Sequence, residues 1–377
     1  MLARGPTAFF LYRDSALRRE ALRLERGDGE RYSLFGLDEV ADAGFEVEHN
    51  LEPALAPGFA SRSAGRVLNR AITAVGGYGG DFATVLASLA RLRRADVVFS
   101  TVDTVGIPLS LLAHATRLRT PVVYAAIGLP ERLERVRTGF ARGLHSNSFR
   151  HLHSIVAYGW GEVDALREHF GETGPTVTFV PFGVDTEYFR PQPFRTLDAD
   201  VVSVGADPRR DFGLFLELAR RLPDRSFQLV VSGEHLRVLG AVPANVQVEA
   251  DVPFPVVRER LAGARVVALP VRDNTYSGAT TTLLQAMASG KPVVVTRTAA
   301  IARGYHLEDG ANCRLVPPGD LAALEQAVTG ILDDADGAGK LAARARETVE
   351  LHLTWQQYTD SIREHLLAAT RASTVRA

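Results

Sequence analysis

Short apolar runs recur along this chain, each separated from the next by a stretch long enough for a helix, and this alternation limits the possible folds more than any other feature. The first series reads Thr7 to Tyr12, Asp96 to Ser100, Pro121 to Ala126, Ile155 to Ala157 and Thr176 to Val180. The second reads Val201 to Val204, Phe227 to Val231, Val246 to Val248, Val266 to Leu269, Pro292 to Thr296 and Cys313 to Val316. Runs that are apolar at nearly every position suit strands buried on both faces, and strands alternating with helices pair in parallel. Between the two series, Val180 to Pro191 contains Pro181, Gly183 and Pro191, with Pro193 just beyond, so neither a continuous helix nor an inner strand fits there. The expected fold is α/β with two parallel-sheet domains, residues 1–185 and 186–352. A last segment, Thr354 to Leu367, spaces Trp355, Tyr358, Ile362 and Leu366 as a helix face.

At 377 residues the chain is long enough to bury two cores. Its 43 basic residues nearly cancel 44 acidic ones, so no global field favours nucleic acid or an anionic membrane, and such a partner would need a local patch. Cys313 is the only cysteine, which excludes an internal disulfide and a cysteine-based metal cluster and fits a reducing compartment. The apolar run Ala8 to Leu11 is too short for a signal-peptide core, and no run approaches the roughly eighteen residues of a membrane span. A soluble, cytoplasmic protein is expected.

The stretch from Asp273 to Thr296 carries the most chemistry. It reads as a polar loop after a strand, then a short helix, a stop at Gly290 and another buried strand. Ser277, Gly278 and the run Thr280 to Thr282 would stand at the helix start, where backbone N–H groups and the helix dipole favour an anion such as a diphosphate. With the helix beginning near Ser277, the side chains of Ser277, Thr281 and Gln285 form one polar stripe, while Leu283 and Met287 point elsewhere. The plainer alternative makes the threonines a helix cap and Gln285 an exposed neutral residue.

From about Val177 onward the sequence resembles the retaining family-4-type glycosyltransferases of GT-B fold. The resemblance runs in order through Gly183 to Pro191, Ser203-Val-Gly205, Gln285 to Val294, Asp309 to Asp320 and the Trp355 helix. It implies two Rossmann-like domains facing a cleft, with residues 353–377 packing back on the first. It further implies transfer of a sugar from a nucleotide diphosphate sugar with retained configuration. No metal, no cofactor and no obligatory protein nucleophile are implied; the departing diphosphate takes the acceptor proton, and domain closure excludes water. The donor set carried over is Gly205, Arg209, Arg210, Gly233, Glu234, Tyr276, Gly278, Ala279, Thr280, Thr281, Thr282 and Gln285, with Arg210, Ser277 and Asp103 as catalytic residues. Arg210 falls where the family has a lysine on the leaving diphosphate. Ala206 replaces the family's arginine, and Arg209 could restore that charge. Two glutamates of the family are replaced by Ser277 and Gln285; Gln285 can still donate to and accept from ribose hydroxyls.

The first half follows the family less closely. Tyr32 to Glu39 looks like the acceptor-side loop, with Ser33 and Gly36, and Thr101 and Ile127 stand where the family has histidines, beside Gly106, Gly128, Leu129 and Pro130. Asp103 could meet a sugar hydroxyl or cap a helix. The basic stretch 130–153 suits an anionic acceptor, a peripheral membrane contact or, more commonly for such a run, a solvated helix face. Its histidines lack a ligand set. The partners implied are a nucleotide sugar and an unidentified acceptor, with no nucleic acid. A nucleotide-sugar-binding partner subunit without transferase activity is the alternative that the replaced glutamates and histidines suggest. A sugar epimerase would need more ionisable groups than residues 273–289 offer.

Overall fold

The computed structural model describes residues 5–26, 28–192, 198–276 and 278–376, with side chains as far as residue 372. Among these residues the strands form two six-stranded sheets, parallel throughout. The first contains β1 (Thr7–Leu11), β2 (Glu46–His49), β3 (Val97–Ser100), β4 (Val122–Ala126), β5 (Ser154–Ala157) and β6 (Thr176–Phe179), in the order β2-β1-β3-β4-β5-β6. The second contains β7 (Ala199–Gly205), β8 (Phe227–Val231), β9 (Val246–Ala250), β10 (Ala264–Leu269), β11 (Val293–Thr296) and β12 (Arg314–Val316), in the order β12-β11-β10-β7-β8-β9.

The α/β reading with two parallel sheets therefore holds. One strand escaped it. β2 reads Glu-Val-Glu-His, is half-buried, and gains its place by pairing along β1 from Thr7↔Glu46 to Phe10↔His49 at the sheet edge.

In the first half the helices are α1 (Ala16–Ala21), α2 (Leu37–Asp42), α3 (Phe59–Ala74), α4 (Phe82–Leu92), α5 (Asp103–Thr116), α6 (Leu129–Glu134), α7 (Gly139–Phe149) and α8 (Trp160–Phe170). In the second they are α9 (Phe212–Arg221), α10 (Gly233–Val238), α11 (Phe254–Ala262), α12 (Thr280–Ala288), α13 (Leu321–Asp333), α14 (Ala335–His352) and α15 (Trp355–Arg376). Contacts divide the chain into two compact units, one with residues up to 158, 162–180 and 359 onward, the other with 159–161 and 181–358. The sequence pattern places the divisions at 185 and 352.

Each unit is held by its own apolar interior. In the first, Phe9, Phe10, Val98, Phe99, Val123, Ile155 and Val156 are fully buried. In the second, Val201, Leu229, Val266 and Val294 lie under Phe215 and Leu218 of α9 and Leu324 and Val328 of α13. Each large apolar side chain so buried contributes about 1.5–3 kcal/mol, more than any single polar contact on these surfaces. Tyr358, Ile362 and Leu366 of α15 are buried as the helical spacing predicts, and the helix extends beyond the expected Leu367. Cys313 is a buried thiol whose pKa burial, aided by Asp309, pushes up to about 12, so it is inert as a nucleophile. Among the described residues no helix is long and apolar enough to cross a membrane, and no group of three or more His, Cys, Asp or Glu side chains is placed to hold a metal ion.

Candidate functional site

In the second unit the chain leaves β7 at Gly205 and enters α9 only at Phe212. The intervening loop lies at the carboxyl end of the sheet, where ligands of parallel sheets gather. Asp207 shapes it. Its Oδ1 accepts the Arg209 N–H at 2.8 Å, and its carbonyl accepts the Arg210 N–H at 3.1 Å. Asp211 then caps α9 by accepting the Leu214 N–H at 3.1 Å. The loop is clasped to the one that follows β10, the strand beside β7. The Asp211 N–H donates to the Pro270 carbonyl (2.9 Å), the Arg272 N–H to the Arg209 carbonyl (2.8 Å), and the Tyr276 hydroxyl to Asp207 Oδ1 (2.9 Å).

Arg210 is enclosed by this clasp, with 2% of its surface exposed. Nη2 donates to Ser203 Oγ at 3.0 Å, whereas Nε and Nη1 are buried without a partner among the described residues. A Cβ on residue 205 would stand 3.0 Å from the guanidinium carbon and 3.1 Å from Nε and Nη1, so glycine there gives the guanidinium its room. Burial draws the Arg210 pKa down to about 10, against the opposing pull of Asp207. A cation held this way costs the fold free energy that an arriving anion would return.

The start of α12 differs from expectation. The helix begins at Thr280, with Ala279 as a cap residue that makes no side-chain bond. It cannot begin near Ser277 because the Gly278 N–H turns back to the Tyr276 carbonyl at 2.9 Å. That bond also withdraws the Gly278 amide from an anion. Ser277 itself lies outside the described residues. The polar stripe is thus reduced to Thr281 and Gln285, one turn apart within α12. Thr280, Thr281 and Thr282 form the first turn, whose N–H groups have no acceptor inside the helix, and Thr280 Oγ1 is buried without a partner. Gln285 is buried, which corrects the plainer reading of an exposed neutral residue. The Gly233 N–H donates to Asp251 Oδ1 at 2.9 Å, and Glu234 is exposed on the short α10.

In the first unit, Ser33 lies in the 3-10 turn Gly29–Leu34 and is buried with its hydroxyl unpartnered, and Gly36 follows Phe35 in a left-handed pair at φ 87° and 55° that leads into α2. Thr101 is fully buried, and its hydroxyl is already committed to the Leu11 carbonyl at 3.1 Å. Asp103 is not the helix cap, and its carboxylate is engaged within the protein. It is the first residue of α5, with Val102 as the cap position, and its carboxylate is buried under three donors. These are the Tyr124 hydroxyl (2.7 Å), the Ile127 N–H (3.2 Å) and Arg132 Nε (2.8 Å). The site has room only because residue 106 lacks a side chain: a Cβ there would fall 1.7 Å from Tyr124 Cε2. Gly128 and Leu129 both donate their N–H to Glu162 Oε1, at 2.8 and 2.9 Å. The amides of Ile127 and Gly128, placed on the acceptor side by resemblance, are therefore occupied by carboxylates of this chain.

Residues 198–334 match the family described as Glycosyl transferases group 1. A curated relative, the MMP alpha-(1->4)-mannosyltransferase of Mycolicibacterium hassiacum, is 26% identical over 263 residues. The alignment covers 67% of this chain and 63% of that protein, less than two thirds of its length. Sucrose-phosphate synthase from Thermosynechococcus elongatus shares the fold with a TM-score of 0.70, at 15% identity over 97% of this chain and 100% of that one. Anabaena HepE, in a structure with UDP-glucose, does so with a TM-score of 0.67, at 14% identity over 96% of this chain and 100% of its own. The second unit thus carries a segment similar to the group 1 glycosyltransferases. The fold of the chain is the GT-B arrangement of two parallel-sheet α/β domains.

Sequence pattern alone gives no sign of Glu162, which looks like an ordinary charge on the first turn of α8. It is fully buried, with Oε2 unpartnered, and burial, reinforced by Asp103, raises its pKa to about 8 despite the two amides it accepts. A carboxyl whose folded pKa lies above its unfolded value near 4.5 contributes stability at low pH that is lost as pH rises through about 8. The expected result is a melting temperature that falls between pH 5 and pH 8 and a flatter profile for Glu162→Gln, whose amide mimics the protonated acid. Equal slopes for the two proteins would mean that Glu162 is ionised in the folded state.

Proposed function

We propose that this chain transfers a hexosyl group from a nucleotide diphosphate sugar to a hydroxyl-bearing acceptor, with retention at the anomeric carbon. The single observation that carries this reading is the buried Arg210 guanidinium, two of whose nitrogens lack partners, at the carboxyl end of β7 in the unit that matches the family. The leaving diphosphate is the anion that such a cation suits. As the bond from the anomeric carbon to the phosphate oxygen breaks, charge grows on the diphosphate, and Arg210 with the first-turn amides Thr280 to Thr282 stabilises it. The acceptor oxygen bonds to the anomeric carbon, and its proton passes to the departing phosphate. Arg209, Tyr276 and Asp207 hold the loops in register.

Screening nucleotide sugars for thermal stabilisation of the purified chain tests donor binding, since a ligand that binds only the folded state raises the melting temperature. UDP-hexoses come first, because the HepE structure contains UDP-glucose. Mass spectrometry then follows transfer and hydrolysis of each donor that binds. Stabilisation without any turnover would favour the nucleotide-sugar-binding subunit instead, a reading that Ser277 and Gln285 in place of two glutamates keep open. A further expected outcome concerns Gln285. Its replacement by alanine weakens nucleotide binding about tenfold, the loss of one or two buried hydrogen bonds to ribose, with the melting temperature of the free protein lowered by no more than a few degrees. Unchanged affinity would leave Gln285 a packing residue only.

A further inference from the structure

Helix α3 has three faces, and only one of them is used by the fold. Ser61, Gly65, Leu68 and Ile72 form the inward row, and contact there is close enough that a Cβ on Gly65 would stand 2.7 Å from the Ala83 nitrogen of α4. A second row, Ala60, Ala64, Val67, Ala71 and Ala74, is exposed, and so is Phe59, the first residue of the helix, which stands at the head of the arginine row. Phe59 shows 83% of its surface and Val67 65%. The third row is Arg62, Arg66 and Arg70, exposed at successive steps of four. No Asp or Glu occurs from Pro53 to Gly80. None of these arginines forms an ion pair among the described residues.

The surface continues onto the start of α7. The Arg137 N–H donates to the Gly76 carbonyl at 2.8 Å and the Thr138 hydroxyl to the Val75 carbonyl at 2.6 Å, which fixes the end of α3 against residues 137–140. Phe140 is 71% exposed there, with Arg137 and Arg142 exposed beside it. The stretch 130–153 is not one basic face, for Arg132 is taken by Asp103 and His145 is buried. Its exposed part adds to the patch built on α3.

We propose that α3 and the start of α7 form a docking surface for an anionic lipid bilayer. A helix with an apolar row beside an unbroken row of arginines lies in the headgroup layer, its apolar side chains inserted and its guanidinium groups on lipid phosphates. The chain's net charge of −1 offers no general attraction to such a surface, so the binding is local to this patch. A nucleic acid would use the arginines but leave Phe59, Val67 and Phe140 in water.

The test is flotation of the full chain with vesicles of phosphatidylcholine alone or mixed with phosphatidylglycerol. Binding is expected only to the mixed vesicles, and it weakens as salt is added. Substituting Arg62→Ala, Arg66→Ala and Arg70→Ala together lowers the partition coefficient about a hundredfold, and Phe59→Asp with Phe140→Asp lowers it at least tenfold. All five positions are exposed, so circular dichroism and melting temperature stay near wild type. Failure of the wild-type chain to bind mixed vesicles at low salt overturns the proposal. So does a phenylalanine variant that binds as wild type, since an acidic protein or a polyanion would then explain the arginines.

Discussion

Arg210→Met is expected to lower turnover a hundredfold or more while leaving the ligand-free protein at least as stable as wild type. Two effects of opposite sign meet at this residue. Burial lowers the guanidinium pKa from 12.5 to about 10, and each unit of such a shift corresponds to about 1.4 kcal/mol, so its charge opposes folding by about 3 kcal/mol at neutral pH. Methionine fills similar space without that cost. In the transition state the same preorganised cation would face growing negative charge, and loss of one contact of this kind costs about 3 kcal/mol of barrier. Lys at this position should recover part of the rate, because it restores the charge but not the planar fork. Arg209→Ala serves as the comparison, with a smaller loss expected from a half-buried neighbour whose backbone is already engaged. Melting curves with and without nucleotide diphosphate, together with single-turnover rates, measure both effects. A variant that melts lower and still turns over at the wild-type rate would make Arg210 a structural residue and remove the leaving-group assignment.

The second large effect is expected at Arg132→Ala, which strands the buried Asp103 carboxylate. The Arg132 to Asp103 bond, at 2.8 Å, is the ion pair of the site, and Arg132 also donates to the Tyr78 hydroxyl. Removing one partner of a buried pair costs roughly 3–5 kcal/mol, and since the Arg132 side chain is 29% exposed the lower end applies, about 3 kcal/mol. The loss depends on pH. Burial already raises the Asp103 pKa with Arg132 and Tyr124 opposing it, and without Arg132 the shift grows. A raised folded pKa gives stability at low pH that disappears as pH increases, so the variant should be weakest at alkaline pH and recover toward acid. Adding Asp103→Asn should restore much of the stability by removing the stranded charge. Urea midpoints at two pH values decide this, and a single variant with the wild-type midpoint at pH 8 would show that the pair contributes nothing.

How much of this was legible in the sequence varies with the distance between partners. Phe227–Val231 was read to the residue because four apolar side chains, broken only by Gln228, suit a strand buried on both faces. The loops after β7 and β10 were located correctly, since a glycine or polar break after an apolar run marks the carboxyl end of a parallel strand. β2 was not, because Glu-Val-Glu-His has too little apolar content to announce itself and becomes a strand only beside β1. The start of α12 was misplaced because the Gly278 to Tyr276 bond, a turn that composition does not reveal, displaces it.

The larger differences concern buried charge. Asp103 meets Tyr124 and Arg132, Glu162 meets Gly128 and Leu129, and Arg210 lies against Ser203 and Gly205. The sequence by itself determined two parallel sheets, their order of appearance and the position of the loops after β7 and β10, because strand period, helix spacing and glycine placement are local properties of the chain. Only the tertiary structure decided which ionisable groups are already satisfied by the protein and which still lack a partner. Those partners come from separate strands and helices, and whether a charge is solvated, paired or stranded depends on what folding brings within about 3 Å of it.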